Sequence, residues 1–264
     1  MKSGKQKQIF LLIIFILALA SINYNFLDEK LTGFLTESYY EVVHVDRVID
    51  GDTIVANNGS IRLLGINTPE RGEKYHEEAK KFLEKEIFKK SVELKFGKDK
   101  KDLYGRTLAY VFLGNENINL NQIKNGFANF YFPSGKDEYY NDFKNAWEKC
   151  IEENRNLCEK SENKCSECIE LKEFDYKNQK VVFYNKCDFS CDLTKWEIKD
   201  EGRKKFVFPL FILDENSDVS IIVGNGTNSN NELFWTNQDY VWTRTGDTLF
   251  LRDEKGKLVL WRVY

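Results

Sequence analysis

The sequence predicts a mainly β chain with helices, built as two globular parts: a small barrel, for which a closed Greek-key barrel of OB type is one candidate, and then an antiparallel β-sandwich. Three observations predict this. Residues 42–66 alternate apolar and polar side chains and are cut by the turn sequences Asp50-Gly51-Asp52 and Asn57-Asn58-Gly59. Strand character returns after a single helical stretch, and helices close the first part. From about residue 169 the helical period disappears and short runs recur with turns between them.

In order, the alternation places strands at Val42–Ile49, Thr53–Ala56 and Ser60–Gly65, because successive strand side chains face opposite sides. Pro69 ends that region. Ala79, Phe82, Leu83 and Ile87 recur at helical spacing within Glu73–Lys90, with charged residues opposite. Val92–Phe96 and Thr107–Leu113 read as strands. Leu120–Asn125 reads as a short helix closed by Gly126, since glycine tolerates the left-handed backbone just past a helix end. Asp137–Glu153 reads as a longer helix. In the second part the runs are Val181–Tyr184, Trp196–Lys199, Lys205–Phe208, Val219–Val223, Asp247–Leu251 and Val259–Arg262. The polar, cysteine-bearing stretch 158–168 is the expected linker between domains at 41–157 and 169–264.

Ahead of both parts, Lys2, Lys5 and Lys7 precede an uncharged apolar run from Ile9 to Ile22 that contains Ala18-Leu19-Ala20. A positive segment, a short apolar core and a small-x-small site describe an export signal within residues 1–22. A membrane span takes about 20 apolar residues, so an uncleaved anchor is the alternative and a buried helix the plainer one. The expected location is secreted, or extracellular and anchored to the membrane. The formal net charge is −3, and cleavage after residue 20 removes three lysines and no acids. An acidic chain is poor in the Lys/Arg–phosphate contacts that dominate nucleic-acid affinity. Any such partner must be gripped by a few placed cations or a metal. The six cysteines, Cys150, Cys158, Cys165, Cys168, Cys187 and Cys191, read in an exported chain as disulfides with 15 pairings open. A four-thiolate zinc site from Cys150, Cys158, Cys165 and Cys168 is the alternative.

The chemistry-bearing stretches are Val48-Ile49-Asp50-Gly51-Asp52-Thr53, Arg62-Leu63-Leu64-Gly65-Ile66-Asn67-Thr68-Pro69-Glu70 and Tyr104-Gly105-Arg106. Two acids around a glycine, facing an oxygen-rich loop, supply the hard ligands that Ca²⁺ prefers. Two separate arginines can fork onto phosphate oxygens. A glutamate beyond a turn proline can orient or deprotonate water. Together these make a phosphoryl-transfer set, since that chemistry rests on positioning and charge neutralisation. Taken singly, each motif is equally an ordinary turn or strand exit. His44 and His76 are the only histidines, which leaves little room for histidine-based chemistry.

From about Glu41 to Leu157, with the Tyr75-x-Glu77-Glu78-Ala79 and Asp102-Leu-Tyr-Gly-Arg-Thr-Leu-Ala-Tyr-Val111 segments added to those stretches, the chain resembles the staphylococcal nuclease family. The resemblance implies a five-stranded OB-fold barrel and a Ca²⁺-dependent endonuclease that hydrolyses DNA and RNA with little sequence preference, leaving 3′-phosphate ends. It implies Asp52 as the main carboxylate ligand of the metal, Thr68 as a carbonyl ligand and Asp50 beside them. It implies Glu70 as the residue that activates water, Arg62 and Arg106 as the pair on the scissile phosphate, and Tyr104 and Tyr131 as substrate contacts. Asn67 stands where family members place a second aspartate ligand, which weakens the expected calcium affinity. Phe130 and Phe132 read equally well as filling between barrel and helix.

Beyond Ile169, Asp192-Leu-Thr-Lys-Trp196, Phe206-x-Phe208-Pro209, Val223-Gly-Asn-Gly226 and Trp242-x-x-x-Gly246-Asp247 resemble the lamin-tail family of immunoglobulin-like sandwiches. Trp196 and Trp242 are expected in its core. With 14 basic against 16 acidic residues from Ile169 on, this part is expected to bind a cell-surface or envelope partner rather than to clamp DNA. The rival readings are an inactive nucleic-acid-binding barrel and a surface adhesion or scaffold protein. The chain is expected to act as a monomer.

Overall fold

Eight strands and three helices make the first region. They are β1 (Tyr40–Asp50), β2 (Thr53–Ala56), β3 (Gly59–Leu63), β4 (Gly65–Asn67), α1 (His76–Ile87), β5 (Ser91–Lys101), β6 (Thr107–Leu113), β7 (Glu116–Asn117), α2 (Ile118–Lys124), β8 (Asn129–Tyr131) and α3 (Tyr140–Glu152). This is a computed structural model whose described residues are 40–264; the expected export segment lies outside them. Strand order is β3-β2-β1-β5-β6, and β3 pairs back in parallel with β6, so five strands close into a barrel. Val45, Ile54, Leu63, Leu94 and Val111 fill it, with the alternate residues of each strand facing out.

The expected strand Ser60–Gly65 is broken at Leu64. Gly65 has φ +75°, and a Cβ there would lie 2.7 Å from the Phe143 ring, so both backbone and space demand glycine. The kink sends β4 off the barrel to pair with β8, and this short ribbon carries Asn67 towards the β1–β2 turn. The first helix begins at His76 rather than Glu73, after Tyr75 in a left-handed conformation, and buries Ala79, Leu83 and Ile87. The second helix starts two residues earlier than expected, at Ile118, because the Asn117 side chain accepts a hydrogen bond from Leu120 N.

The second region holds β9 (Ile169–Asp175), β10 (Lys180–Asn185), β11 (Cys191–Asp192), β12 (Glu197–Lys199), β13 (Lys205–Val207), β14 (Ile212–Leu213), β15 (Asp218–Val223), β16 (Glu232–Trp235), β17 (Thr248–Arg252) and β18 (Leu258–Val263). Two four-stranded sheets, β16-β15-β10-β9 and β13-β12-β17-β18, enclose Trp196, Trp242, Phe183 and Phe208, all buried. One pair departs from the antiparallel expectation: β15 and β16 run parallel.

The two regions are packed as one. Residues Val42–Tyr264 form a single compact unit. Phe250 and Leu258 of the sandwich belong to the barrel's apolar cluster. Trp147 meets Phe250 edge-on at 5.4 Å, and Phe130 meets Trp261 at 6.0 Å. The expected linker is stitched to β18, with Ser161 N donating to Leu258 O and Leu258 N to Glu159 O. The disulfides join Cys150 to Cys158, Cys165 to Cys191 and Cys168 to Cys187. The zinc set drawn from the first four cysteines is therefore not formed, because Cys150 and Cys158 close their own loop.

Candidate active site

The site grows from the Asp50-Gly51-Asp52 turn between β1 and β2. A Cβ on Gly51 would lie 2.7 Å from Ala79 of α1 and 2.8 Å from Thr68, so the helix and the β4 exit press directly on the turn. Gln122 of α2 locks it by donating to Gly51 O at 2.7 Å. Backbone rigidity here fixes where the carboxylates point.

Asp52 is buried and densely partnered. Its Oδ2 accepts from Thr68 N at 3.0 Å and Thr68 Oγ1 at 2.9 Å, and Arg62 Nη2 lies 3.0 Å away. Burial works to raise its pKa, but the Arg62 charge and the Thr68 hydrogen bonds prevail and hold it below the usual carboxylate range. Asp50, whose Oδ1 accepts from Asp52 N, is pushed up to about 6, first by burial and then by the neighbouring Asp52 charge. Two carboxylates in one turn, one of them held back from ionising, are a donor set that a divalent cation fits. All donors at hand are oxygens, which suits Ca²⁺ or Mg²⁺ rather than a softer metal.

Arg62 is also buried and turned inward, donating to Leu63 O at 2.9 Å and to Asn67 Oδ1 at 3.2 Å. Asn67, expected as a calcium ligand, is engaged at both ends: its Nδ2 donates to Gly202 O of the sandwich at 2.6 Å. Arg106 sits just ahead of β6, next to Thr107, which pairs with Ile61 beside Arg62. Asp102 holds its Nε at 2.6 Å and its backbone N–H at 2.9 Å. Tyr104 stands exposed on that turn, with the Arg106 guanidinium 5.6 Å from its ring. The structure thus joins Asp50, Asp52, Arg62, Asn67 and Thr68 by direct contacts and places Arg106 just ahead of the neighbouring strand.

Glu70 lies just past Pro69, and its partner comes from the second region: Arg203 Nε at 2.7 Å from Oε1. Glu73 accepts from Glu70 N at 2.9 Å and is itself paired with Lys199 and Lys205. Tyr131, expected against substrate, is half-buried, and the Cβ position of Gly202 is 3.6 Å from its ring. Phe130 and Phe132 are buried as packing residues. Residues 200–204 are the part of the site that sequence reading missed; an Asp-x-Gly turn between strands gave no sign of what it docks against.

The family model for staphylococcal nuclease homologues matches residues 60–160, and that for the lamin tail domain matches 165–264. A thermonuclease of Staphylococcus hyicus is 36% identical over 141 residues, covering 47% of this chain and 83% of that enzyme. A thermonuclease of Staphylococcus intermedius is 39% identical over 105 residues, covering 36% of this chain and 62% of that enzyme. An uncharacterized endonuclease of Haemophilus influenzae is 37% identical over 101 residues, covering 36% of this chain and 56% of that protein.

Proposed function

We propose, since this chain belongs to the staphylococcal nuclease family and is a nuclease by that membership, that it is a calcium-dependent endonuclease acting on DNA and RNA with little sequence preference and leaving 3′-phosphate ends. The observation that carries this reading is the buried Asp52–Arg62–Thr68 cluster with Asp50 beside it and Glu70 two residues on. A bare binding module has little use for a buried carboxylate held next to a second, half-buried one.

Asp52, Asp50 and the Thr68 carbonyl would hold the calcium, which when bound offsets charge building on the phosphate. Arg62 contacts the phosphate from the floor of the site, its plane fixed by Asp52 and Asn67, and Arg106 contacts it from just ahead of the adjacent strand, its plane fixed by Asp102. Glu70 orients the attacking water and accepts its proton. Fixed donors aimed where charge develops need no rearrangement during the reaction, which is where the rate gain lies. The buried disulfides support a setting outside the reducing cytoplasm. Among the described residues no helix is long and apolar enough to cross a membrane.

The test is hydrolysis of single- and double-stranded DNA and RNA with calcium or with chelator, by the wild type, Glu70→Gln and Arg106→Ala. Calcium-dependent cleavage leaving 3′-phosphates, lost by about 10²- to 10⁴-fold in both variants, is expected. Nucleic-acid binding without turnover at about millimolar calcium would assign the barrel to recognition instead.

A further inference from the structure

The C-terminal region supplies more to the site than packing. The loop between β12 and β13 lies on the β4–β8 ribbon. Asn67 Nδ2 donates to Gly202 O at 2.6 Å, Asn129 Nδ2 to Glu201 O at 3.1 Å, and Phe132 N to Glu201 Oε1 at 3.1 Å. Asn67, Asn129, Glu201 and Gly202 are all buried, so the loop backbone is fixed from the barrel side. Arg203 leaves this anchored loop and reaches Glu70.

Three sandwich cations meet the Glu70–Glu73 turn, and they differ. Lys199 and Lys205 are spent on Glu73, with Lys205 also paired to Glu197. Arg203 is 61% exposed at its side chain and makes its closest approach to Glu70 through Nε. Among the described residues its two Nη groups make no hydrogen bond, and a guanidinium in that state presents its fork to an incoming anion. An exposed ion pair of this kind is held weakly, so a phosphate arriving beside Glu70 can share or take the cation.

We propose that Arg203 is a third phosphate-binding residue of this site, delivered by the lamin-tail region and parked on Glu70 until a phosphodiester arrives. The inference rests on the nuclease reading for what the phosphodiester is. It accounts for how a chain of net negative charge grips a polyanion: the cations are few and placed. It also gives Asn67 a reason, since an aspartate there would face the Gly202 carbonyl with no proton to donate and would loosen the loop that carries Arg203.

The test compares wild type, Arg203→Ala and Arg203→Lys. Binding of a single-stranded DNA oligonucleotide is titrated against salt in chelator, and cleavage kinetics are measured in calcium. Arg203→Ala is expected to lower the slope of log affinity against log salt by about 0.7, the value for one lost phosphate contact, and to lower kcat/KM by about tenfold or more. Arg203→Lys keeps the charge but not the fork, so it recovers the slope and only part of kcat/KM. A rise in kcat/KM in Arg203→Ala overturns the idea, because the arm would then be a plug. An unchanged slope also overturns it, leaving a surface ion pair. If wild type fails to cleave while Arg203→Ala still loses slope, the nuclease reading fails and the phosphate contact stands. Cooperative melting of Arg203→Ala at the wild-type temperature shows that the loop is still docked.

Discussion

The barrel and the sandwich both bury aromatic rings and charge, and they differ in where the buried charge sits. The barrel buries its ion pair inside the candidate site: Asp52 and Arg62, with the neutral Asn67 and Thr68, are each under a tenth exposed and are held in a web of mutual hydrogen bonds. The sandwich buries aromatic rings, with Trp196, Trp242, Trp235 and Phe206 in one apolar cluster. Buried charge is costly unless every group is partnered, and it is kept where position matters more than stability. Buried rings are kept for stability. The sandwich buries charge as well, at Asp247, Arg252 and Asp253 and in the loop with Asp200 and Glu201, and that loop, seated on the barrel through Gly202, is where it meets the site.

The sharpest way to break this contrast is to separate the regions. Ending the chain after Lys160 strips Phe250, Leu258 and Trp261 from the barrel cluster and bares Phe130 and Trp147. Loss of one large buried aromatic contact costs about 3–5 kcal/mol, and several go at once. The truncated chain is expected to aggregate or to lose its cooperative melting transition. A soluble barrel melting within a few degrees of the full chain would show that the two cores are independent and that the sandwich is an appendage.

How much of this was legible in the sequence follows from the range of the contacts. Local signals carried well: the helical spacing of Ala79, Leu83 and Ile87 and the left-handed backbone of the Gly126 cap are set by neighbours a few residues apart. The order of Asp52, Arg62, Glu70 and Arg106 along the chain pointed to the candidate site. Contacts between regions carried no signal, since Asn67 and Gly202 are 135 residues apart and no periodicity links them. Asn67 therefore read as a weakened metal ligand, when its amide is the donor that seats the sandwich. The parallel strand β16 was hidden because its run is short and bounded by polar turns. Cysteine pairing was hidden for the same reason as the docking: spacing alone leaves 15 arrangements open.

A smaller effect sharpens the role of Asn67. Asn67→Asp replaces a donor to Gly202 O with an acceptor, at a position 2% exposed. A buried carbonyl left facing an oxygen costs about 1–3 kcal/mol, partly relieved by a stronger pairing with Arg62. Denaturant unfolding of Asn67→Asp is expected to shift to a lower midpoint. Calcium affinity is expected to rise at the same time, because a carboxylate returns beside Asp52. Stability lost together with calcium affinity gained marks the residue as a compromise between docking and metal binding. If calcium affinity stays unchanged, position 67 serves docking alone.

The smallest expected effect concerns pH and again falls on the docked loop. Glu201 is pushed up to about 8, first by burial and then by the Asp247 charge, with Asp200 adding to it; Asp200 itself is pushed up to about 7. The other groups around Glu201 are the Phe132 N–H and the Thr248 hydroxyl, and Lys204 lies against Asp200. A carboxyl whose folded pKa is raised is neutral in both states below its ordinary value of 4.5, so it costs nothing there. Between 4.5 and about 8 the unfolded chain releases the proton and the folded chain keeps it, so stability falls as pH rises and then levels off. Glu201→Gln keeps an acceptor for Phe132 N without the titration. Its melting temperature is expected to match wild type at about pH 4 and to exceed it by a few degrees at about pH 9. Equal melting curves at both pH values would mean that Glu201 is ionised in the fold, with water or a cation reaching it in the seam between barrel and sandwich.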